Sequence, residues 1–221
     1  MAERGVIVEF DFTVLNGADL LFRTARRFLA DLDGIALDAS VEARYLAGEE
    51  YQSGFARLFP VDKTKKTPQK AGRDLAAAFS AAVTESIPAA VGVAFRNFVT
   101  ALTAGGLKVV IATRADLDVV RSALRPVLGE KTVLYPEISS CYGTVKGESW
   151  RRACRAGGLR PGAALAVTGS GFGVKSALAA GMGALAVVND HVAYQDFGGA
   201  DDVLNELSGR TAKRVLDRLR R

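Results

Sequence analysis

Glu9 and Asp11 stand two residues apart near the start of the chain, followed by Thr13, in the row EFDFT. Paired carboxylates can transfer protons, attack an electrophile or hold a divalent cation, provided both reach the same place. Residues 5–15, GVIVEFDFTVL, are β-branched and aromatic and read as a buried strand. Alternation along an extended chain would put Glu9, Asp11 and Thr13 on one side as that strand runs out. An acid pair is also common at a polar strand end that merely caps the next turn. Other groups recur downstream, however: Thr113 with Arg114, then Lys146, then Thr168-Gly169-Ser170-Gly171-Phe172-Gly173 ahead of a helical pattern. Carboxylates, a hydroxyl, cations and a Gly-rich turn at a helix N-terminus make sense around a phosphate, whose charge needs cations and oriented N–H groups.

These residues can meet only if the elements bring their strand ends to one edge. Further strand runs are LKVVIA (107–112), AALAV (163–167) and ALAVV (184–188), with a weak one at 131–134. Helical patterns at 93–104, 148–156 and 174–180 each close on glycine, the usual residue just past a helix. Strand and helix therefore alternate, which predicts an α/β, doubly wound parallel sheet of Rossmann-like type. Between the first strand and the rest lies an insertion without strand runs. Its apolar residues recur at three-to-four spacing: Leu20, Leu21, Ala25, Phe28 and Leu29, then Leu46, Tyr51, Phe55, Leu58 and Phe59, then Leu75, Ala78, Phe79 and Val83. Three or four amphipathic helices follow, an inserted all-α cap over the carboxyl edge, where open α/β sheets bind ligands. The expected division is 1–17 with 89–221 as core and 18–88 as cap.

Composition narrows the function classes. With 221 residues, 49% hydrophobic and 24% charged, the chain can bury a sizeable core but cannot make two large domains. Uncharged runs reach about 14 residues (176–189), short of the ~20 a spanning helix needs, so no membrane segment is expected. No secretory signal pattern is present, and Cys141 and Cys154 lack the spacing of a zinc site or disulfide framework, which points to a reducing, cytoplasmic setting. The net charge of +5 collects at Lys63, Lys65, Lys66, Lys70 and Arg73, and at Lys213, Arg214, Arg218, Arg220 and Arg221. The second group suits the end of a C-terminal helix, and the first has no interleaved aromatics to stack on bases, so no nucleic-acid partner is expected.

EFDFTVLN (9–16), IATR (111–114), VKGESWRRACRAGGLRPG (145–162) and TGSGFGVKSALAAGM (168–182) together resemble the four motifs of the haloacid dehalogenase (HAD) superfamily, phosphatase-type with an α-helical cap. The resemblance spans nearly the whole chain. It implies Mg2+-dependent phosphohydrolase ancestry, with a first Asp as nucleophile, a second as general acid/base, and a Thr and Lys on the phosphoryl oxygens. Asp11 then takes the acid/base place, Thr113 the hydroxyl and Lys146 the cation, with Arg114 beside them. Glu9 stands where the nucleophilic Asp belongs, Gly169 where a metal-binding Asp belongs, and Phe12 replaces the glycine after the second Asp. Glutamate is a competent nucleophile in kind, but ~1 Å of misplacement can cost on the order of 10²-fold in rate. As metal ligands Glu9 and Asp11 remain the candidates, Ser170 offers a neutral oxygen, and Asp190 follows the last strand.

The expectation is therefore an impaired phosphohydrolase that keeps a site for a phosphorylated small molecule or oxyanion; the alternative is an active phosphatase using Glu9. If those two positions are the lesions, Glu9→Asp with Gly169→Asp should raise Mg2+-dependent aryl-phosphatase activity by more than the product of the single effects. A metal-independent dehalogenase would also lack the fourth-motif carboxylate but requires Asp at position 9. A dinucleotide site would use Gly169, Gly171 and Gly173 with Asp190 about 20 residues on, yet Val174 stands where its third glycine belongs. The lone His191 reads as a loop residue, Trp150 as packing, and Tyr45, Tyr51 and Phe55 as cap core. No protein partner is named by the sequence.

Overall fold

The computed structural model describes residues 3–30, 36–38, 40–42, 46, 51–58, 67–125, 132–135 and 147–220. Valine, isoleucine, leucine and alanine dominate the short apolar runs because these strands are covered on both faces, as in parallel sheets. Strands β1 (Gly5–Glu9), β2 (Lys108–Ala112), β3 (Thr132–Tyr135), β4 (Ala164–Thr168), β5 (Gly183–Val187) and β6 (Asp202–Leu204) form one sheet in the order β3-β2-β1-β4-β5-β6. All pairs are parallel, and β1 lies between β2 and β4, with Gly5 opposite Lys108 and Ala164, and Glu9 opposite Ala112. The central strand thus carries its last residue, Glu9, to the middle of the carboxyl edge.

The helices are α1 (Phe10–Thr13), α2 (Gly17–Leu29), α3 (Tyr51–Leu58), α4 (Pro68–Ala90), α5 (Val93–Ala104), α6 (Leu117–Leu124), α7 (Glu148–Ala156), α8 (Gly171–Ala179) and α9 (Gly209–Arg220). Local chemistry sets their starts. The Thr67 hydroxyl accepts from Lys70 N and Pro68 opens α4, while Asp116 accepts from the amides of Asp118 and Val119 to cap α6. Within 18–88 the described elements are helices, and α4 packs against both α2 and α3. Helix α4 runs on to Ala90, two residues past the expected cap boundary, with Pro88 inside it. No single described helix is long and apolar enough to cross a membrane.

Two expectations change. The strand expected over 5–15 stops at Glu9, and the chain turns through α1. Val14 N donates to Phe10 O at 3.0 Å, and the Thr13 hydroxyl donates back to Glu9 O at 2.7 Å. Asn16 takes a left-handed φ of 51°, and a Cβ on Gly17 would lie 2.4 Å from Asp11 O, so only glycine lets α2 begin so close to that turn. The second change is β6, three residues long with Val203 exposed, too short to leave a run in the sequence.

Below the site the core is aromatic: Phe10 meets Phe95 at 5.5 Å between ring centres, and Phe95 meets Phe98 at 6.3 Å. Trp150 and Phe98 are completely buried. Burial pushes the Cys154 thiol up to about 11, against the pull of Arg155, which makes it an inert packing group. Phe98→Ala should cost about 3–5 kcal/mol through lost contact and a residual cavity, a large share of a typical domain stability of about 5–15 kcal/mol. Urea unfolding should show a lower midpoint at unchanged slope.

Candidate functional site

Glu9 ends β1 at the middle of the sheet and is buried. Its Oε2 accepts the Thr168 hydroxyl at 2.6 Å and the Gly169 amide at 3.2 Å, so the carboxylate is held against the end of β4. Asp11 sits in the helical turn beyond it and is equally buried. Its Oδ1 accepts the Thr113 hydroxyl at 2.5 Å and its Oδ2 the Arg114 amide at 2.8 Å, so it is held against the end of β2. The expectation that Glu9, Asp11 and Thr13 share one side is thereby corrected. The α1 turn breaks the alternation, the two carboxylates bond to opposite neighbours, and the Thr13 hydroxyl is taken by Glu9 O. Burial holds the Asp11 carboxyl above its ordinary value, outweighing the nearby Arg114 charge and the bonds from Thr113 and Arg114 N.

The single hydroxyl proton of Thr113 goes to Asp11, and its oxygen accepts from Ala115 N at 3.0 Å. Arg114 is half-buried; its guanidinium carbon lies 5.8 Å from the centre of the Phe12 ring and 5.9 Å from that of Phe79. Those two rings are 5.8 Å apart, so α4, which carries Phe79, meets the sheet edge at an aromatic pair topped by a cation. A second tie joins the same helix to the core, the Asp116 amide donating to the Thr84 hydroxyl at 3.2 Å. Lys146 lies outside the described residues, as do Tyr45 and the side chain of Tyr51. Phe55 is buried and meets Phe28 edge-on at 6.2 Å.

The Gly-rich turn is filled by the protein's own groups. Ser170 caps α8 by accepting from Gly173 N at 2.9 Å, and the Gly171 amide donates to Gln195 Oε1 at 2.8 Å. A Cβ on Gly173 would fall 1.8 Å from Thr168 Oγ1. These glycines answer to close packing.

The resemblance implies Mg2+, and the residues present do not fit it. A Cβ at Gly169 would lie 2.4 Å from Phe12 O and 2.8 Å from Phe12 Cβ, so the α1 turn occupies the space a carboxylate would need. Gly169 has no positive φ; the obstacle is the neighbouring backbone. Ser170 is spent on its cap, Asp190 is exposed in the turn after β5, and no group of three metal-ligating side chains occurs among the described residues. Against the expected gain from Glu9→Asp with Gly169→Asp, the new side chain at 169 would meet the Phe12 main chain unless the α1 turn shifts.

One cluster escapes the sequence reading. His191 is contacted at Nε2 by Asp19 (3.4 Å) and at Nδ1 by Glu42 (3.5 Å), with the Phe22 ring centre 5.8 Å away. Burial raises the Glu42 carboxyl, offset in part by attraction to His191. The carboxylates approach opposite ring nitrogens, a clasp rather than a chelate. No spacing rule joins positions 19, 42 and 191; only the fold does.

No family model matches the sequence, and no curated protein matches it. Solved structures do. CbbY from Rhodobacter sphaeroides in complex with phosphate superposes with a TM-score of 0.65 at 18% identity, covering 94% of this chain and 95% of that one. A β-phosphoglucomutase from Clostridium difficile gives 0.70 at 12%, covering 99% and 97%. A HAD family hydrolase from Deinococcus radiodurans, with bound phosphate and sodium, gives 0.56 at 20%, covering 99% and 96%. The chain has the HAD-like fold, with an α/β Rossmann-like core.

Two measurements test this site. Because the folded Asp11 carboxyl lies above its unfolded value near 3.8, the native state holds that proton more tightly than the unfolded chain. Its stabilising contribution is complete below the unfolded value and is lost as pH rises through the folded one. Stability of the wild type relative to Asp11→Asn should fall with rising pH across that window; a flat or rising difference in urea midpoints would remove the assignment. Gly169→Ala should cost about 1–3 kcal/mol by overpacking against Phe12, read as a lowered melting temperature.

Proposed function

We propose that this HAD-like chain is a phosphohydrolase relative that has lost Mg2+-dependent turnover and keeps a site for a phosphorylated small molecule or oxyanion at the carboxyl edge. Residues 1–17 and 89–221 form the core in this reading, and 18–88 the cap. The observation that carries it is the pair Glu9 and Gly169: the carboxylate at the nucleophile position is bonded to Thr168 Oγ1 and Gly169 N, and Phe12 fills the place of a metal carboxylate. Both donors meet Oε2, so they fix the orientation from which the carboxylate would have to attack phosphorus. Without a divalent cation, repulsion from a dianionic phosphoryl group also goes unrelieved. Binding is supported by Arg114 and by structural neighbours such as CbbY, which was crystallised with phosphate and, in a mutant form, with xylulose-1,5-bisphosphate; Lys146, outside the described residues, is assigned as the second cation on the resemblance alone. Thr113, with its proton given to Asp11, serves as a positioning group in this reading.

An aryl phosphate assay combined with phosphate calorimetry tests the proposal. Turnover should stay far below the order of 1 s⁻¹ seen for ordinary enzymes and should not respond to Mg2+. Inorganic phosphate should bind at millimolar concentration, and Arg114→Ala or Lys146→Ala should each weaken it about tenfold, the worth of one charge-assisted hydrogen bond. Ordinary turnover abolished by Glu9→Ala would replace this reading with an active phosphatase using Glu9 as nucleophile. Absence of both turnover and phosphate binding would overturn the site.

A further inference from the structure

At the opposite, amino edge of the sheet lies a groove of about 820 Å³, within the roughly 300–1,000 Å³ range of small-molecule sites. It is bounded by the start of β1, the end of α5, the turn before β4 and the last turns of α9. Gly5 and Glu9 are the two ends of β1, so at about 3.3 Å per residue this groove is about 13 Å from the carboxylate pair along the strand. Its charged lining is one-sided: Arg4, Arg160, Arg218 and Arg220 against Glu3. Glu3 is paired to Lys108 from outside the groove, and Arg218 donates to Asp201 through Nε at 2.9 Å and Nη2 at 2.5 Å. That leaves Arg4, Arg160 and Arg220, all exposed, without a carboxylate partner among the described residues.

Some of this charge has a structural use. Helices α5 and α9 both end here, and Arg4 donates to Leu219 O in the last turn of α9. Each helix C-terminus counts for roughly half a negative charge, so three guanidinium groups against two such ends still leave about two positive charges on the wall. Arginine presents planar pairs of N–H donors that match phosphate oxygens. Two further features favour a ligand. Added Cβ atoms on the exposed lining residues Gly106 and Gly162 would meet nothing within 4 Å, so the groove is open there, and Leu165 and Leu216 add apolar lining.

We infer that the amino-edge groove is a second binding site, separate from the carboxyl edge, for a small molecule carrying a di- or triphosphate group beside an apolar or ring portion. Inorganic triphosphate is the probe, titrated calorimetrically into the full chain at low ionic strength. The wild type should bind it, and Arg160→Glu with Arg220→Glu should weaken binding at least about tenfold, the loss of charge-assisted bonds to phosphate. Gly162→Glu, which sets a carboxylate in the open space of the groove lining, should do the same in a chain whose arginines are intact. Arg210→Glu with Lys213→Glu makes the same charge change on exposed positions of α9 outside the groove and should change binding less than about twofold, the size of a remote, screened effect. Arg114→Ala with Lys146→Ala should leave this binding in place, which separates it from the carboxyl-edge reading. No binding by the wild type, equal loss in the Arg210/Lys213 pair, or loss confined to the Arg114/Lys146 pair would each overturn the inference.

Discussion

Two carboxylates buried at the end of one central strand are the constraint on which the carboxyl edge is built. A buried carboxyl group without hydrogen bonds would cost several kcal/mol, so each must be met by donors on a neighbouring element. Glu9 finds them at the end of β4 and Asp11 at the end of β2. The single turn of α1 makes this possible by rotating Asp11 away from Glu9. Together the two groups stitch three adjacent strand ends, β2, β1 and β4, at the line where the sheet stops pairing. Removing either would leave buried donors unmet, so stability and the arrangement of the site are coupled here.

That stitching commits hydroxyls and an amide that a phosphate could otherwise use, so the proposed anion site rests on cations such as Arg114. The hydroxyls of Thr113 and Thr168 donate to carboxylates, the Ser170 oxygen caps α8, and the Gly171 amide is met by Gln195. Phe12 closes the remaining space: its backbone lies against Gly169 and its ring against Phe79 of α4. Residue 12 and residue 169 are therefore one steric unit. A larger residue at 169 would push the turn that carries Asp11, and with it the bonds to Thr113 and Arg114.

Much of this fold was legible because its signals are local. The helices at 93–104 and 148–156 begin and end where apolar spacing and the following glycines put them, and the parallel order follows from strands alternating with helices. The presence of Glu9, Asp11, Thr113, Arg114 and Gly169 at strand ends was legible for the same reason. Their orientation was not. Alternation assumes an extended chain, and FDFT has the composition of a strand; what turns it is the Thr13 hydroxyl and the close approach permitted at Gly17. Gly169 reads in sequence as a missing ligand, whereas the Phe12 backbone makes it a packing requirement. The His191 clasp joins positions up to 172 apart and depends on the fold alone.

In the proposed reading, a carboxyl edge that takes no divalent cation must balance its charge from its own side chains. In this chain burial shifts Asp11 toward its neutral form, which reduces the negative charge to be offset. Among the described residues the cation acting on Asp11 is Arg114, held over two aromatic faces whose quadrupoles favour it without neutralising it. One guanidinium beside a largely satisfied carboxyl pair is closer to balance than the same pair with a divalent ion added. The raised Asp11, the aromatic seat of Arg114 and the closed position at Gly169 thus form a mutually consistent set. In that reading, fitting a metal would require changing the charge of the edge as well as its shape, and a single substitution at either carboxylate position does not do both.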